Sequence, residues 1–350
     1  MAQRDPAGKQ RGRWVVPAGV AAVLVGAIAV WVSLGGLRPP PPPSDAELEA
    51  AMIHLGEKLE AAIVNRRDVA PLLPPAELWA QRRPDAASTQ RLLGQVRVEL
   101  KDWPGAYAAF SEALALDPHD PHLHRLAGGV AEQTRDWPTA RTHYLAARQL
   151  RPEDPQLWVR LANIAVKQER FADARPLLEA AIAREATLHE AHALLASVLH
   201  SEGDADAALA ALEQAYDLAT LEGGEPLRRY AVRLAEILRQ RGDLVTASKV
   251  LRLPTPEDAF VPEVMAPLGE VLDALGQPFA AGQYFEQWVR RDPVNADAAA
   301  QAASYYLRAE EAEPARAMLV VLRRIDPRHP RLNELEEGLR TLAAVPRATP

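Results

Sequence analysis

Apolar and polar residues recur with the period of an α-helix along most of this chain. The first such series follows residue 44, where apolar side chains return every three or four positions. Its members are Leu48, Met52, Leu55, Leu59 and Ile63. Ser44-Asp45-Ala46-Glu47 precedes the series in the form of a capping box, which is typical of a helix start. The pattern therefore predicts an amphipathic helix that ends near Arg66-Arg67, before the prolines at 71, 74 and 75.

The first 43 residues show a different pattern. Residues 1–13 carry four basic side chains against one Asp, residues 14–37 have no charged side chain, and five prolines follow Arg38. A helix of the 24 uncharged residues would be about 36 Å long, more than the ~30 Å hydrocarbon core of a bilayer. We predict a basic tail over 1–13, one transmembrane helix over 14–37 and a stiff proline-rich spacer over 38–43.

The charges on either side of this apolar run predict its orientation. Basic residues precede it and Asp45, Glu47 and Glu49 follow soon after it. The N-terminus is therefore expected in the cytoplasm and the bulk of the chain outside it, in the periplasm if the protein is bacterial. Two alternatives stay open: cleavage as a signal peptide near Ala27-Ile28-Ala29, and the reverse orientation with the bulk of the chain in the cytoplasm.

Beyond residue 86 the chain repeats itself. Three short motifs return after one and the same interval: Asp102-Trp103-Pro104 as Asp136-Trp137-Pro138, Pro118 as Pro152, and Asp292-Pro293 as Asp326-Pro327. The stretch from Ala87 has small or large apolar residues and a proline at fixed places within one period. These are Leu93-Gly94, Ala106, Phe110, Ala113 and Pro118. This arrangement resembles the tetratricopeptide repeat, in which each unit is an antiparallel pair of helices.

The resemblance implies an all-α fold, a right-handed α-solenoid of about seven helix pairs over residues 87–329. Its units are expected to start at residues 87, 121, 155, 189, 228, 262 and 296. The step from the fourth to the fifth unit is five residues too long, because Leu221–Leu227 intervene with a Gly223-Gly224 break. Residues 44–83 are expected to form a juxtamembrane helix and a degenerate hairpin. Residues 330–350 are expected to form an amphipathic capping helix and a tail.

Composition and motifs exclude several classes of partner and of enzyme for this chain. The chain has 40 Lys and Arg against 47 Asp and Glu, so its formal charge of -7 gives no general attraction to nucleic acid. It contains no cysteine, which excludes disulfides, thiolate metal sites and cysteine nucleophiles. No GxxxxGK[ST], GxGxxG or GxSxG motif is present. We therefore predict no enzyme activity, no cofactor, no nucleic-acid partner and no small-molecule substrate.

Histidines support the one enzymatic alternative, a metal-dependent hydrolase. His119, His122 and His124 lie close together in the sequence. His189-Glu190-Ala191-His192 resembles the HExxH motif of zinc proteases, but it has one residue fewer between the two histidines. The preferred interpretation assigns the first group to a turn and a helix start, and His192 to a packed position of the fourth unit.

Partner-binding residues follow from the resemblance, which implies that the first helix of each unit lines a concave groove. The candidates at groove positions are Arg125, Gln133, Arg160, Asn163, Lys167, Arg229 and Arg233. Their charge predicts a protein or peptide partner with an acidic or carboxylate-bearing segment. The alternative is that they are merely exposed helix positions. A chaperone-tail carboxylate clamp is not expected, because Val159 and Leu194 stand where that pattern needs polar residues.

These observations together predict a single-pass, membrane-anchored scaffold or adaptor that binds protein partners and helps to assemble or organise a cell-envelope complex. A regulator of a membrane machine that faces the cytoplasm is the alternative within the same class.

Overall fold

The computed structural model describes residues 45–65 and 68–344. The predicted basic tail, transmembrane helix and proline-rich spacer lie outside these residues, as does the tail after residue 344. Within the described part, every helix is too short or too polar to cross a bilayer. The chain divides into two compact units, Met1–Trp79 and Ala80–Pro350.

Helix α1 (Asp45–Val64) forms most of the described part of the first unit. A short 3₁₀ helix, Ala70–Leu72, comes next, and helix α2 (Leu73–Arg82) begins directly after it. Pro74 and Pro75 lie in the first turn of α2, where a helix needs no backbone N–H donor from them. The proline cluster that follows α1 therefore starts a new helix.

The second unit is entirely helical in its described part. Its helices are α3 (Ala87–Glu99), α4 (Trp103–Leu116), α5 (Pro121–Gln133), α6 (Trp137–Leu150), α7 (Pro155–Lys167), α8 (Phe171–Arg184), α9 (His189–Ser201), α10 (Ala205–Ala219), α11 (Gly224–Gln240), α12 (Leu244–Val250), α13 (Pro256–Ala259), α14 (Pro262–Ala274), α15 (Pro278–Arg291), α16 (Ala296–Arg308), α17 (Ala312–Ile325) and α18 (Leu332–Ala344). Consecutive helices pack on each other, except α12 and α13, so this unit is an all-α helical-repeat solenoid.

The repeated Asp-Trp-Pro motif begins a second helix in two successive hairpins. Asp102 caps α4 by accepting a hydrogen bond from the Gly105 amide, and Asp136 caps α6 through the Thr139 amide. The proline of each motif stands in the first turn, where its fixed φ suits a helix. The motif therefore ends the turn of the hairpin and starts its second helix.

The turn inside each of seven helix pairs contains one residue in the left-handed region. Four of these residues are Lys101, Arg135, Glu169 and Glu310, with φ between 57° and 60°, and three are Gly203, Gly242 and Gly276. They recur at the interval of the sequence motifs, except that the step from Gly203 to Gly242 is longer by the five inserted residues. Only glycine adopts this conformation without steric cost, so four of the turns are strained.

Small residues opposite large ones set the spacing within a hairpin. A Cβ atom placed on Gly94 would lie 2.4 Å from the Phe110 ring, and one on Gly128 would lie 2.9 Å from the Tyr144 ring. The third pair has Ala162 and Leu178 at the equivalent places, and both are fully buried. A smaller partner leaves room for the methyl group of alanine, so the same backbone distance is kept.

The fifth pair departs from this regular plan. Its second helix, α12, has only seven residues, and the one-turn helix α13 follows before α14 begins. Pro254 and Pro256 explain the break, because each lacks a backbone donor and disfavours helical conformation in the residue before it. The pair expected from Arg228 onward therefore consists of three helices, and its first helix starts at Gly224.

A buried carboxylate holds this irregular segment in place. Asp258 accepts hydrogen bonds from the Gly224 amide at 3.0 Å and the Thr255 hydroxyl at 2.8 Å, and it pairs with Arg228 at 2.6 Å. Burial alone would raise the pKa of the Asp258 carboxyl, but these partners hold the pKa below its usual value. Asp258 thus connects α13 to the start of α11.

The apolar core is divided differently in the two halves of the solenoid. Three small clusters lie between α4 and α9, each shared by neighbouring hairpins. One continuous cluster then runs from Ala193 on α9 to Leu335 on α18. The last helix, α18, buries Leu332 and Leu335 against that cluster and so closes its end.

Candidate protein-binding groove

The first cavity of the solenoid lies between the first helices of three successive pairs. It has a volume of about 380 Å³ and is lined by residues of α3, α5 and α7, with contributions from α4 and α6. Arg125, Gln133 and Arg160 of the predicted set line it. The repeat spacing therefore brings these three side chains to one surface.

Most charges of this first cavity already have partners. Glu132 accepts hydrogen bonds from the Tyr144 hydroxyl and the Asn163 side-chain amide, both at 2.9 Å. Burial, together with the neighbouring Glu132, raises the pKa of the Tyr144 hydroxyl, so it stays a donor. Arg160 lies 4.0 Å from the Glu190 carboxylate.

Arg125, which also lines the first cavity, has a histidine as its hydrogen-bond partner. Its guanidinium donates to His122 Nδ1 at 2.9 Å. Burial and then the Arg125 charge lower the pKa of His122, which keeps this ring neutral and able to accept. Asn163, another predicted residue, is committed to Glu132, and Lys167 is exposed at the end of α7 and lines neither this cavity nor the next.

A larger cavity, of about 710 Å³, lies further along the same row of first helices. Residues of α11 form most of its lining, with His200 at the end of α9 and Glu263 at the start of α14. Val232 and Ile237 supply apolar surface. Arg229 and Arg233, both in the predicted set, line this cavity as well.

Arg233 has an unusual environment among the basic residues of α11. Its guanidinium donates to the Ser197 hydroxyl at 2.9 Å, and the described residues give it no carboxylate partner. Arg228, Arg229 and Arg239 by contrast pair with Asp258, Glu225 and Glu236. Arg233 is accessible to solvent, but the cavity walls displace water around it. This desolvation, followed by repulsion from Arg229, lowers its pKa. The larger cavity thus contains a cation that makes no ion pair with any described residue, although carboxylates line the same cavity.

Sequence reasoning did not select the apolar part of this cavity or the serine that positions Arg233. Val232 and Ile237 belong to the same helix face as Arg229 and Arg233, at spacings of three and four residues. Val232 could have been found from the sequence, because it is an apolar residue at a position of the repeat that lines the groove. Ser197 lies 36 residues before Arg233, so the repeat frame with its five-residue insertion pointed only to the neighbourhood and not to the contact.

The ring nitrogens of several histidines contact other side chains or backbone carbonyls. His124 Nδ1 and His143 Nδ1 are 3.1 Å apart, His143 Nε2 is 3.1 Å from the Tyr107 hydroxyl, and His124 Nε2 contacts the Pro118 carbonyl at 3.1 Å. His192 Nε2 contacts the Ala186 carbonyl at 3.0 Å. Over the residues that the structure describes, no three potential ligands among His, Asp and Glu converge on a metal site.

His189 occupies a comparable position on α9. Its Nδ1 atom lies 3.1 Å from the Tyr230 hydroxyl and its Nε2 atom lies 3.3 Å from the Glu222 carboxylate. These contacts connect α9 to α11 and to the inserted segment before it. Of the residues of the hydrolase alternative, His124 and His189 thus contact side chains on other helices, His122 contacts Arg125 on its own helix, and His119 is exposed.

Comparison with known proteins supports the repeat. The tetratricopeptide repeat family model matches residues 91–155 and 159–222. The all-α solenoid is of the tetratricopeptide repeat type. No curated protein matches the chain.

Several solved structures are similar at low identity. They include pilF of Pseudomonas aeruginosa (18% identity over 61% of this chain and 96% of that chain, TM-score 0.49) and MamA of Desulfovibrio magneticus RS-1 (21%, 53% and 97%, TM-score 0.43). They also include the APC/C hetero-tetramer Cut9-Hcn1 (15%, 91% and 52%, TM-score 0.43).

Proposed function

We propose that this protein is a non-catalytic interaction scaffold that binds an acidic segment of a partner protein in the larger cavity, on α9, α11 and α14. The observation that carries the proposal is Arg233, whose guanidinium lines the cavity and, among the described residues, is hydrogen-bonded to a serine hydroxyl and to no carboxylate. A carboxylate placed there gains a charge-assisted hydrogen bond and relieves the repulsion from Arg229.

The remaining lining favours a peptide over a free small anion. Val232 and Ile237 offer apolar surface beside the two arginines, while Glu225, Glu236 and Glu263 stand around them. A segment with apolar and acidic side chains satisfies both the apolar surface and the unpaired cation. The surrounding carboxylates disfavour a ligand of uniformly negative charge. Arg125 and Arg160 in the first cavity contribute less, because their neighbours already supply acceptors.

A fluorescence titration tests this proposal with a synthetic peptide of leucine and glutamate that has about four residues and is too short to form a helix. The same peptide with lysine for glutamate serves as the negative probe. We expect binding of the glutamate peptide that weakens with added salt, and loss of that binding in the double variant Arg229→Glu and Arg233→Glu. Arg141→Glu with Lys249→Glu makes the same change in charge at exposed positions on second helices and is the matched control.

Two results would contradict the proposal. One is equal binding of the glutamate and lysine peptides. The other is binding that the groove variant and the matched control leave unchanged alike. Circular dichroism spectra of the wild type and both variants check that the repeats stay folded. We expect them to, because exposed substitutions shift stability by no more than about 0.5 kcal/mol.

The cellular setting is a further part of the proposal and rests on the sequence. The uncharged run at 14–37 would anchor the scaffold, with the repeats outside the cytoplasm, where it would organise a cell-envelope complex. Protease added to intact spheroplasts should then digest the repeats. Protection until the membrane is permeabilised would instead support the orientation that faces the cytoplasm.

A further inference from the structure

A second groove lies at the other end of the solenoid, between α17 and α18. It has a volume of about 500 Å³. Leu319, Val320 and Leu339 provide its apolar surface, and 55% of Val320 is exposed. These two helices contribute no residue to the larger cavity, so this groove is a separate surface.

Arginines dominate the rim of this C-terminal groove. They are Arg316, Arg323, Arg324 and Arg340. Glu336 is the one carboxylate in the lining, and it is shared between Arg323 and, at 3.9 Å, Arg340. Arg316 pairs with Glu313 at 2.6 Å, and Arg324 has no ion-pair partner among the described residues. The four arginines therefore exceed their two carboxylates by two charges, although the chain as a whole has a formal charge of -7.

The positions of these residues define the shape of an occupant. Arg316, Val320, Arg323 and Arg324 follow one face of α17 at helical spacing, and Arg340 faces them from α18. From 316 to 324 the face extends for about 12 Å, or two helical turns. An apolar strip bordered on both sides by guanidinium groups complements a helix whose apolar stripe is bordered by carboxylates.

We propose that the groove between α17 and α18 binds an acidic amphipathic helix of a partner protein. A helix of two to three turns places leucine-sized side chains on Val320 and Leu339 and directs flanking carboxylates to Arg324 and Arg340. Leu319 is only 5% exposed while Val320 is 55% exposed, so the apolar surface follows the groove between the two helices and is complemented better by a helix than by a flat lipid surface. This surface gives the scaffold a second partner site at its C-terminal end.

The test uses a peptide with leucines on one helical face and glutamates beside them, and a scrambled peptide of the same composition. We expect the ordered peptide to bind and to become helical, and Arg324→Glu with Arg340→Glu to weaken binding at least about tenfold. Val320→Glu should weaken it as well. The wild-type arm and every variant arm of this test also carry Arg229→Glu with Arg233→Glu, which removes binding of the peptide in the larger cavity, so failure at this groove is distinguishable from failure of the proposed function.

Several outcomes would overturn the proposal. Equal binding of the scrambled peptide, or full binding by the Arg324 and Arg340 variant, removes the acidic helix as the occupant. Binding of the protein to vesicles with anionic phospholipid, lost in the same variant while the peptide fails to bind, assigns the groove to a membrane surface. Self-association lost in that variant, measured by sedimentation velocity, assigns it to a second copy of the chain.

Discussion

The second and fifth helix pairs differ in the contacts that hold their helices together. In the second pair, Gly128 receives the Tyr144 ring, Ala140 is fully buried, and the two helices have 13 and 14 residues. In the fifth pair, the second helix stops after seven residues, and the buried Asp258 connects the segment that follows to the start of α11. The fifth pair thus keeps an apolar core, with Leu234, Ala247 and Leu251 buried, and adds to it one charged group with several donors.

The difference extends to the two cavities. Next to the second pair, the cations have nearby acceptors, and Glu132 is bonded to Tyr144 and Asn163. On the fifth pair, Arg228, which directly follows the inserted residues, is paired with Asp258, while Arg233 has no carboxylate partner in the part of the chain that the structure describes. The irregular pair therefore presents the stronger electrostatic attraction for a ligand, and regular repetition alone does not create such a site.

Asp258→Ala should produce the largest loss of stability, about 3 to 5 kcal/mol, because it leaves the half-buried Arg228 and the Gly224 amide without the buried carboxylate that accepts from them. Urea unfolding measures this change. Asp206→Ala removes a similar ion pair, because Asp206 lies 2.8 Å from Arg241, but the Asp206 side chain is 91% exposed. That control should cost no more than about 1 kcal/mol, and similar losses in both variants would refute a special role for Asp258.

Ala140→Leu tests the apolar packing of the second pair. The added atoms have no space at a fully buried position, and we expect a loss of roughly 1 to 3 kcal/mol in the free energy of unfolding. Ala172→Leu makes the same substitution at an exposed position of α8 and should be close to neutral. Arg125→Ala should also stay within about 0.5 kcal/mol. A neutral Ala140→Leu would show that the pair is looser than the structure indicates.

Glu169→Gly should increase stability by about 0.5 to 1 kcal/mol, since it relieves a left-handed backbone conformation in a side chain that is exposed. Gly203→Ala, at the equivalent place of the next pair, where φ is 87°, should do the opposite. Thermal unfolding of both variants measures the difference. If glycine at 169 destabilises instead, the entropy that it adds to the unfolded chain outweighs the strain.

The two regions should also differ in their response to pH, with the smallest effect expected from His143. Burial, then the neighbouring His124, lowers the pKa of His143, so the folded state binds its proton less readily than the unfolded state. The corresponding stability is complete above about pH 6.5 and decreases as the pH falls from there toward the lower folded pKa. His143→Gln should flatten the dependence in this window.

For Asp258 the folded pKa is also lowered, so its stability is complete above the ordinary aspartate value of 3.8 and is lost only below it. Unfolding free energies measured from neutral to acid pH separate the two windows. His119→Gln, at an exposed side chain, is the control for the histidine. A His143→Gln profile that coincides with the wild-type profile would contradict the expected titration.

The repeat period was sufficient to predict the helical hairpins, because the prolines, the capping aspartates and the small residues each act locally. Partner choice among charged groups was not predictable in the same way. Arg160 and Arg233 are alike in sequence, and only the contacts with Glu190 and Ser197, each contributed by another helix, make one paired and the other not. Pro254 and Pro256 indicate in the sequence that the second helix of the fifth pair is interrupted. The repeat frame did not take these two prolines into account.

The uneven division of the core has a consequence for local opening. Hairpins between α4 and α9 share small separate clusters, whereas the cluster from Ala193 to Leu335 crosses the last four pairs and the final helix without interruption. Native-state amide hydrogen exchange should therefore detect one cooperative block in the C-terminal half, whose amides exchange last and together. The N-terminal hairpins should exchange earlier and in steps. A partner held on α9, α11 and α14 would bind the block, while the hairpins before it could open without releasing that partner.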